Sequence, residues 1–290
     1  MGLRTKFNLA IQVAFLIGAA GAYVVLERQF VANAREEVLQ NARIMLSAAN
    51  AVRGYTAREI APRLAPLQTT QFIPATVPSF AAQTNFRSVQ QEYRDYIYKE
   101  AALNPTNPAD RATDWEADFI HTFRNNAEMR ELVGERETPT GRVLTMARPI
   151  QVRDAGCLTC HSTPDRAPAA MLASYGTANG FGWQMNEIIG AQIVSVPMEL
   201  ALRHAHEHLV SVMGVLLGIF AAALLVLNLL LHAIVIRPVM RMARIAGDVS
   251  LGKSDAEEFD DSGKDEISQL GVAFNRMRRS LASALQLLDA

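Results

Sequence analysis

Two long apolar segments constrain this chain more than any other feature. The first, FNLAIQVAFLIGAAGAYVVL (Phe7–Leu26), carries no charged side chain, and about twenty such residues are enough to cross a bilayer as a helix. The second, LVSVMGVLLGIFAAALLVLNLLLHAIVI (Leu209–Ile236), has Asn228 and His232 as its only strongly polar side chains. A helix that long and that uniformly apolar has no face to turn to water, so it too is expected to span a membrane. Ala20-Gly21-Ala22 has the look of a signal cleavage site, but the apolar run continues through Val24, Val25 and Leu26, which favours a retained anchor. Arg4 and Lys6 precede the first span, and Arg237, Arg241 and Arg244 follow the second. Positive flanks stay on the cytoplasmic side. The expected organisation is a cytoplasmic N-terminus (1–6), a first span (7–26), an external region (27–208), a second span (209–236) and a cytoplasmic tail (237–290). In a bacterium the chain would sit in the inner membrane, with the external region in the periplasm.

Lysine and arginine total 28 against 29 acidic residues. With the basic residues scattered, a nucleic-acid partner is not expected.

The external region contains the only two cysteines, in GCLTCHS (156–162). Zinc would need further ligands at motif spacing, such as a second C-x-x-C or an H-x-x-x-H, and the sequence shows neither. A thioredoxin-like redox pair would open a helix after a strand, whereas HSTPDRAPAA places two prolines just after the motif. C-x-x-C-H is the attachment signature of c-type haem. Two thiols at this spacing reach the vinyl groups of one porphyrin edge, and the adjacent histidine turns under the ring to bind iron. The expected cofactor is therefore one covalent haem c, on Cys157 and Cys160, with His161 as proximal ligand.

Around the motif, Thr138–Val152 reads as a turn followed by a strand, and Gly180–Met198 as two strands joined near Asn186–Gly190. Arg35–Ile60 is helical by period and composition, and continues from the first span without a break. VQQEYRDYIYKEAAL (89–103) and DWEADFIHTFRNN (114–126) read as amphipathic helices separated by the breaker stretch NPTNPAD. Helices flanking a small antiparallel sheet make an α+β, sensor-like domain. His204 and His208, four apart beside Glu207, read as a polar collar where a helix meets the bilayer, the less favoured alternative being a metal or pH site.

The blocks IPATVPSFAA, YKEAALNPTNPADRA, WEADFI, ARPIQV, CLTCHSTPDRAP, YGTANGFGW and IGAQIVSVP occur in that order. Together they resemble the PAS-like c-type haem sensor family, over roughly residues 35 to 200. The resemblance implies a monohaem PAS-like domain that reports redox state or a small ligand. Some members use a cysteine thiolate as the second axial ligand. Here both cysteines are needed for the thioethers, so the sixth position falls to Met45, Met146, His121, water or another group.

In the tail, Val239, Met242, Ala246 and Val249 are spaced three, four, three. Ile267, Leu270, Phe274, Met277, Leu281, Ala284 and Leu288 keep the same alternation. Each set is a coiled-coil seam, and the Gly- and acid-rich LGKSDAEEFDDSGKDE between them is a connector. Pro238 after the span, Gly252 in the connector, DEISQL (265–270) and AFNRM (273–277) resemble the HAMP signalling module. That implies a homodimer with a parallel four-helix bundle.

The expected function is a non-enzymatic membrane sensor. Haem c would respond to redox state or a small ligand such as a gas, and a HAMP module would pass the signal to a separate cytoplasmic partner. The alternative is a membrane-anchored monohaem cytochrome that exchanges electrons with a periplasmic redox partner, and which has no need of a HAMP pattern.

Overall fold

The computed structural model describes the chain except for Met1, Thr70, Thr140 and residues 252–256, 260–262 and 289–290; a few side chains near these, including those of 284–288, are also outside the description. Gly252 of the connector and the side chains of Ala284 and Leu288 therefore lie outside the described residues.

The elements in chain order are α1 (Leu3–Tyr55), α2 (Ala61–Leu64), α3 (Pro78–Glu92), β1 (Ile97–Ala102), α4 (Asp114–Asn125), β2 (Leu132–Thr138), β3 (Gly141–Gln151), α5 (Cys157–His161), α6 (Ala169–Tyr175), β4 (Ile188–Pro197), α7 (Glu199–Leu230), α8 (Arg237–Ser250) and α9 (Glu266–Leu288). Two compact units divide the chain: residues 23–210 form one, and 1–22 with 211–290 form the other.

The first unit is built on a four-stranded antiparallel sheet in the order β1-β4-β3-β2. Because strand side chains alternate between faces, Leu144, Met146, Val194, Val196 and Tyr98 share one face. They pack there against Val38, Leu39, Ala42, Leu46 and Ala49 of α1 and Ala82 and Phe86 of α3. Ala101, Ala147, Ala191 and Ile193 line the opposite face under Ile120 and Phe123 of α4. The sheet is thus a filled layer between helices. A capping box starts α4: Thr113 N–H donates to Glu116, while the Thr113 side chain takes the N–H three residues on.

The long helix, the 141–151 strand and the 114–125 helix form where the sequence reading puts them. Two segments differ. Residues 97–102, read as helix, are strand β1; pairing with β4 satisfies their backbone and buries Tyr98, Ala101 and Ala102, so tertiary packing outweighs the helix-forming Lys, Glu and Ala. Residues 180–187, read as a strand, form a loop in which Gly180, Gly182 and Asn186 all take positive φ, outside the region of regular strands.

Helix α1 runs unbroken to Tyr55 and passes into a π-helical turn, Thr56–Ile60; α7 passes likewise into Leu231–Ile236. Each π segment stops two residues before a proline, Pro62 and Pro238. A proline inside a helix lacks an N–H and its ring collides with the carbonyl four residues back. Widening the preceding turn by one residue moves that carbonyl aside while the helix continues.

Two helical stretches, Arg4–Leu64 and Glu199–Ser250, are long and apolar enough to cross a membrane, and their most apolar windows are almost entirely unburied. In the second unit, α8 and α9 form as the seam spacing predicts. Between them Phe259 is held by Asn275, which accepts from its N–H at 3.1 Å and donates to its carbonyl at 3.0 Å. Phe259 also packs edge-on against Phe274. Glu257 pairs with Arg241 of α8 and accepts at its carbonyl from Arg278 of α9. The connector is therefore tied to both helices.

Candidate haem site

Strand β3 ends at Gln151, and Val152 stays in line through hydrogen bonds with Glu187 and Asn186. The chain then turns at Asp154, whose side chain accepts from Gly156 N–H at 2.8 Å and whose carbonyl accepts from Cys157 N–H. That turn launches α5. On this short helix Cys157 lies three residues before Cys160 and four before His161, so it is a neighbour of each on the helix surface.

His161 is fixed by four contacts. Its Nδ1 lies 2.8 Å from the Gly180 carbonyl and 3.4 Å from Thr106 Oγ1. Trp183 stacks on its ring, with centroids 3.8 Å apart and planes 13° from parallel. Its carbonyl accepts from Trp183 N–H at 3.1 Å, next to Gly182 N–H bonded to the Ser162 carbonyl. A carbonyl oxygen only accepts, so Nδ1 carries the proton and the Nε2 lone pair is left for a metal. Histidines that bind metals are oriented in this way, by a carbonyl on the nitrogen away from the metal. Burial holds the His161 pKa below the ordinary histidine value, with the Gly180 bond opposing; the ring is therefore neutral, as a ligand must be.

Gly180 has no replacement in this arrangement. Its φ is +82°, and a Cβ there would overlap Thr106 Oγ1 and come within 2.8 Å of the Thr106 backbone. Only glycine lets this carbonyl reach the imidazole.

Cys157 and Cys160 are free thiols, each partly exposed. Burial, and then Cys157, pushes the Cys160 thiol pKa up. A redox-active C-x-x-C needs the opposite shift, because the thiolate is the nucleophile. Among the described residues no three His, Cys, Asp or Glu side chains converge as a metal ligand set. Ser162 Oγ, the next residue after the histidine, is buried with no hydrogen-bond partner. Two accessible thiols, a neutral imidazole with Nε2 available, and an orphaned hydroxyl beside them fit a haem c attachment site.

The three distal candidates lie elsewhere. Met45 packs at the edge of the α1-facing core, and Met146 is fully buried in that same cluster with Leu144, Val194 and Val196. His121 is exposed on α4. None of the contacts to the His161 ring comes from these residues. Gly180, Trp183 and Thr106, which do make them, were signalled in the sequence only by the cluster GFGW and the turn-rich NPTNP. His204 and His208 are exposed, and His208 lies against Phe30 at 6.3 Å between centroids.

The Tll0287-like family pattern matches residues 29–197, more than half of the chain, and encloses the whole site. The chain belongs to the Tll0287-like family, a haem-binding PAS-like sensor family. A HAMP domain follows at residues 230–283. One solved structure, described as the cyanobacterial haem protein Tll0287, is similar at 20% identity, with a TM-score of 0.38 over 58% of this chain and 92% of that one. No curated protein matches. A Tll0287-like domain joined to a HAMP domain places the chain among signal-transduction proteins.

Proposed function

We propose that this Tll0287-like protein is a homodimeric transmembrane sensor whose external domain carries one covalent haem c. Cys157 and Cys160 would hold the porphyrin as thioethers, and His161 Nε2 would bind the iron. The observation that carries the reading is the His161 Nδ1–H bond to the Gly180 carbonyl, which leaves Nε2 as the free donor of a residue that shares one short helix with both thiols. Bound haem supplies a one-electron couple and a second axial position open to exchange.

The residues around it suggest how a change there leaves the domain. Thr106, in contact with His161, lies on the loop that leads through Asp110 to Gln83 of α3. On β1, Glu100 N–H bonds Gln83, and the Glu100 carboxylate pairs with Arg53 of α1. Strand β4 runs the length of the sheet and feeds α7 almost directly. Both exits from the haem domain are thus helices that continue toward the spans. In a bacterial inner membrane, residues 27–208 would be periplasmic and both termini cytoplasmic. Met45, Met146 and His121 remain the candidates for the sixth position, and of these Met146 requires the packed core around it to open.

The tail fits a second copy of the chain. Leu270, Met277 and Leu281 of the predicted seam are about half exposed in the single chain, and Val239 is 40% exposed. Four helices from two chains would cover them. Such a bundle has alternative packings, and reversing a strongly biased equilibrium needs roughly 5 kcal/mol of difference between input states. Exchange of an axial ligand is an input of that kind. Output would pass to a separate cytoplasmic protein, and no catalytic role is assigned to this chain. The HAMP match disfavours a simple electron carrier.

The test is full-length protein from a host with haem-ligation machinery. Its absorption spectra oxidised, reduced and with carbon monoxide, and its mass after denaturation, should show one covalent haem that Cys157→Ser/Cys160→Ser loses. Colourless protein with two free thiols contradicts the proposal.

A further inference from the structure

The indole of Trp183 has no part in attachment or ligation, yet it makes the closest ring contact to the proposed ligand. Its plane lies 13° from that of His161 with centroids 3.8 Å apart, a stacked arrangement. Aromatic pairs ordinarily prefer offset or edge-on contacts, with centroids 4.5 Å apart or more, and the other close ring pairs in the sheet-bearing unit are edge-on or tilted. This stack is held by the backbone. Trp183 N–H donates to His161 carbonyl and Gly182 N–H to Ser162 carbonyl, so the segment that supplies the indole is laced to the segment that supplies the imidazole. The positive φ of Gly180 and Gly182 turns the loop back to make both contacts.

Resting on the haem reading above, we infer that Trp183 is a positioning residue that locks the plane of the His161 imidazole and biases its iron toward the ferric state. Two constraints act on the ring at right angles to each other. The Gly180 carbonyl fixes the direction in which Nδ1 points, and the indole blocks rotation of the ring out of its plane. A histidine with only the carbonyl bond could still swing about that bond.

The electronic bias follows from the face presented. An indole face is negative and attracts cationic charge placed over it, more strongly than a phenyl face does. Imidazole on ferric iron carries more positive charge than imidazole on ferrous iron. In the couple Fe(III) + e⁻ ⇌ Fe(II), the indole therefore stabilises the left-hand side.

The experiment uses the full-length haem-loaded protein, poised with redox mediators and read by absorbance, with the ferric EPR spectrum recorded in parallel. Trp183→Leu keeps an apolar wall and removes the negative face. It should shift the ferrous-to-ferric ratio at a fixed poise upward about tenfold, about 59 mV for one electron, and broaden the ferric EPR lines as the imidazole samples several orientations. Trp183→Phe keeps a weaker face and should fall between the two, and it decides the matter if the leucine variant does not load haem. Unchanged potentials and line shapes in the haem-loaded variants, or a shift toward ferric, overturn the inference while leaving haem attachment intact. A wild-type protein without covalent haem overturns both.

Discussion

Asn8 and Asn228 exchange two hydrogen bonds of 2.9 Å, each amide donating to the other's oxygen. Asn228 Oδ1 also accepts from Arg4 Nε at 3.1 Å, and its Nδ2 also donates to the Leu224 carbonyl, so every donor and acceptor of this amide is used. Further along the same two helices Phe15 stacks on Phe220 at 3.6 Å. The reciprocal amide pair sets one register between α1 and α7. Asn8→Leu and Asn228→Leu should each lower thermal stability in detergent. A double-mutant cycle should give a coupling of about 0.6–2 kcal/mol, and a coupling near zero would show the pair to be incidental.

Arg53 of α1 and Glu100 of β1 form an ion pair in which the carboxylate is almost wholly buried. Glu100 also accepts from Tyr98 OH at 2.6 Å, and Gln192 Nε2 bridges Tyr98 OH and Asn50. Burial, and then Glu100, raises the Tyr98 pKa, so the phenol stays a donor throughout the physiological range. Arg53→Met would strand a buried charge and should cost about 3 kcal/mol in urea unfolding. Arg53→Met/Glu100→Gln should recover more than half of that loss.

Gly180→Ala tests the cradle of His161. The positive φ alone costs a non-glycine residue about 1–3 kcal/mol, and the new Cβ meets Thr106. Covalent haem content should fall sharply. Adding Thr106→Gly relieves the overlap but not the backbone strain, so haem content should return only in part, as read from the Soret absorbance per mole of protein.

Asp110 accepts from Gln83 at 2.9 Å, and burial raises its pKa above 3.8 despite that bond. Between 3.8 and the folded value, the folded protein keeps a proton that the unfolded chain has released. Stability from this group is thus fully present below pH 3.8 and is lost as pH rises through the folded value. Asp110→Asn keeps the acceptor and removes the charge. It should raise stability at pH 7, and the advantage should vanish at pH 3.5 in paired thermal melts.

The parts of this protein legible in its sequence are those whose signal is local. Length and apolarity mark the spans. Pro139 and Gly141 mark the start of the strand that forms as β3, and the three-four spacing marks α8 and α9. The C-x-x-C-H spacing marks the proposed attachment cluster, whose three residues the structure places on α5. What escaped depends on distant partners. Residues 97–102 carry good helix formers, and only pairing with β4 makes them a strand. The cradle of His161 is drawn from Thr106, Gly180 and Trp183, which no periodicity connects to the motif. The burial of Ile245, just outside the predicted seam of α8, likewise depends on tertiary contacts.

In the proposed sensor, the state of the haem reaches the HAMP helices. Leu270, on α9, is about half exposed, and both native cysteines would be tied up in thioethers, so Leu270→Cys gives a single reporter thiol per chain. Its disulfide cross-linking between copies, measured in membranes held first ferric and then ferrous, tests the claim most directly. A sensor should show cross-linking rates that differ between the two states, a difference that disappears in Cys157→Ser/Cys160→Ser/Leu270→Cys. Equal rates in ferric and ferrous membranes would contradict it.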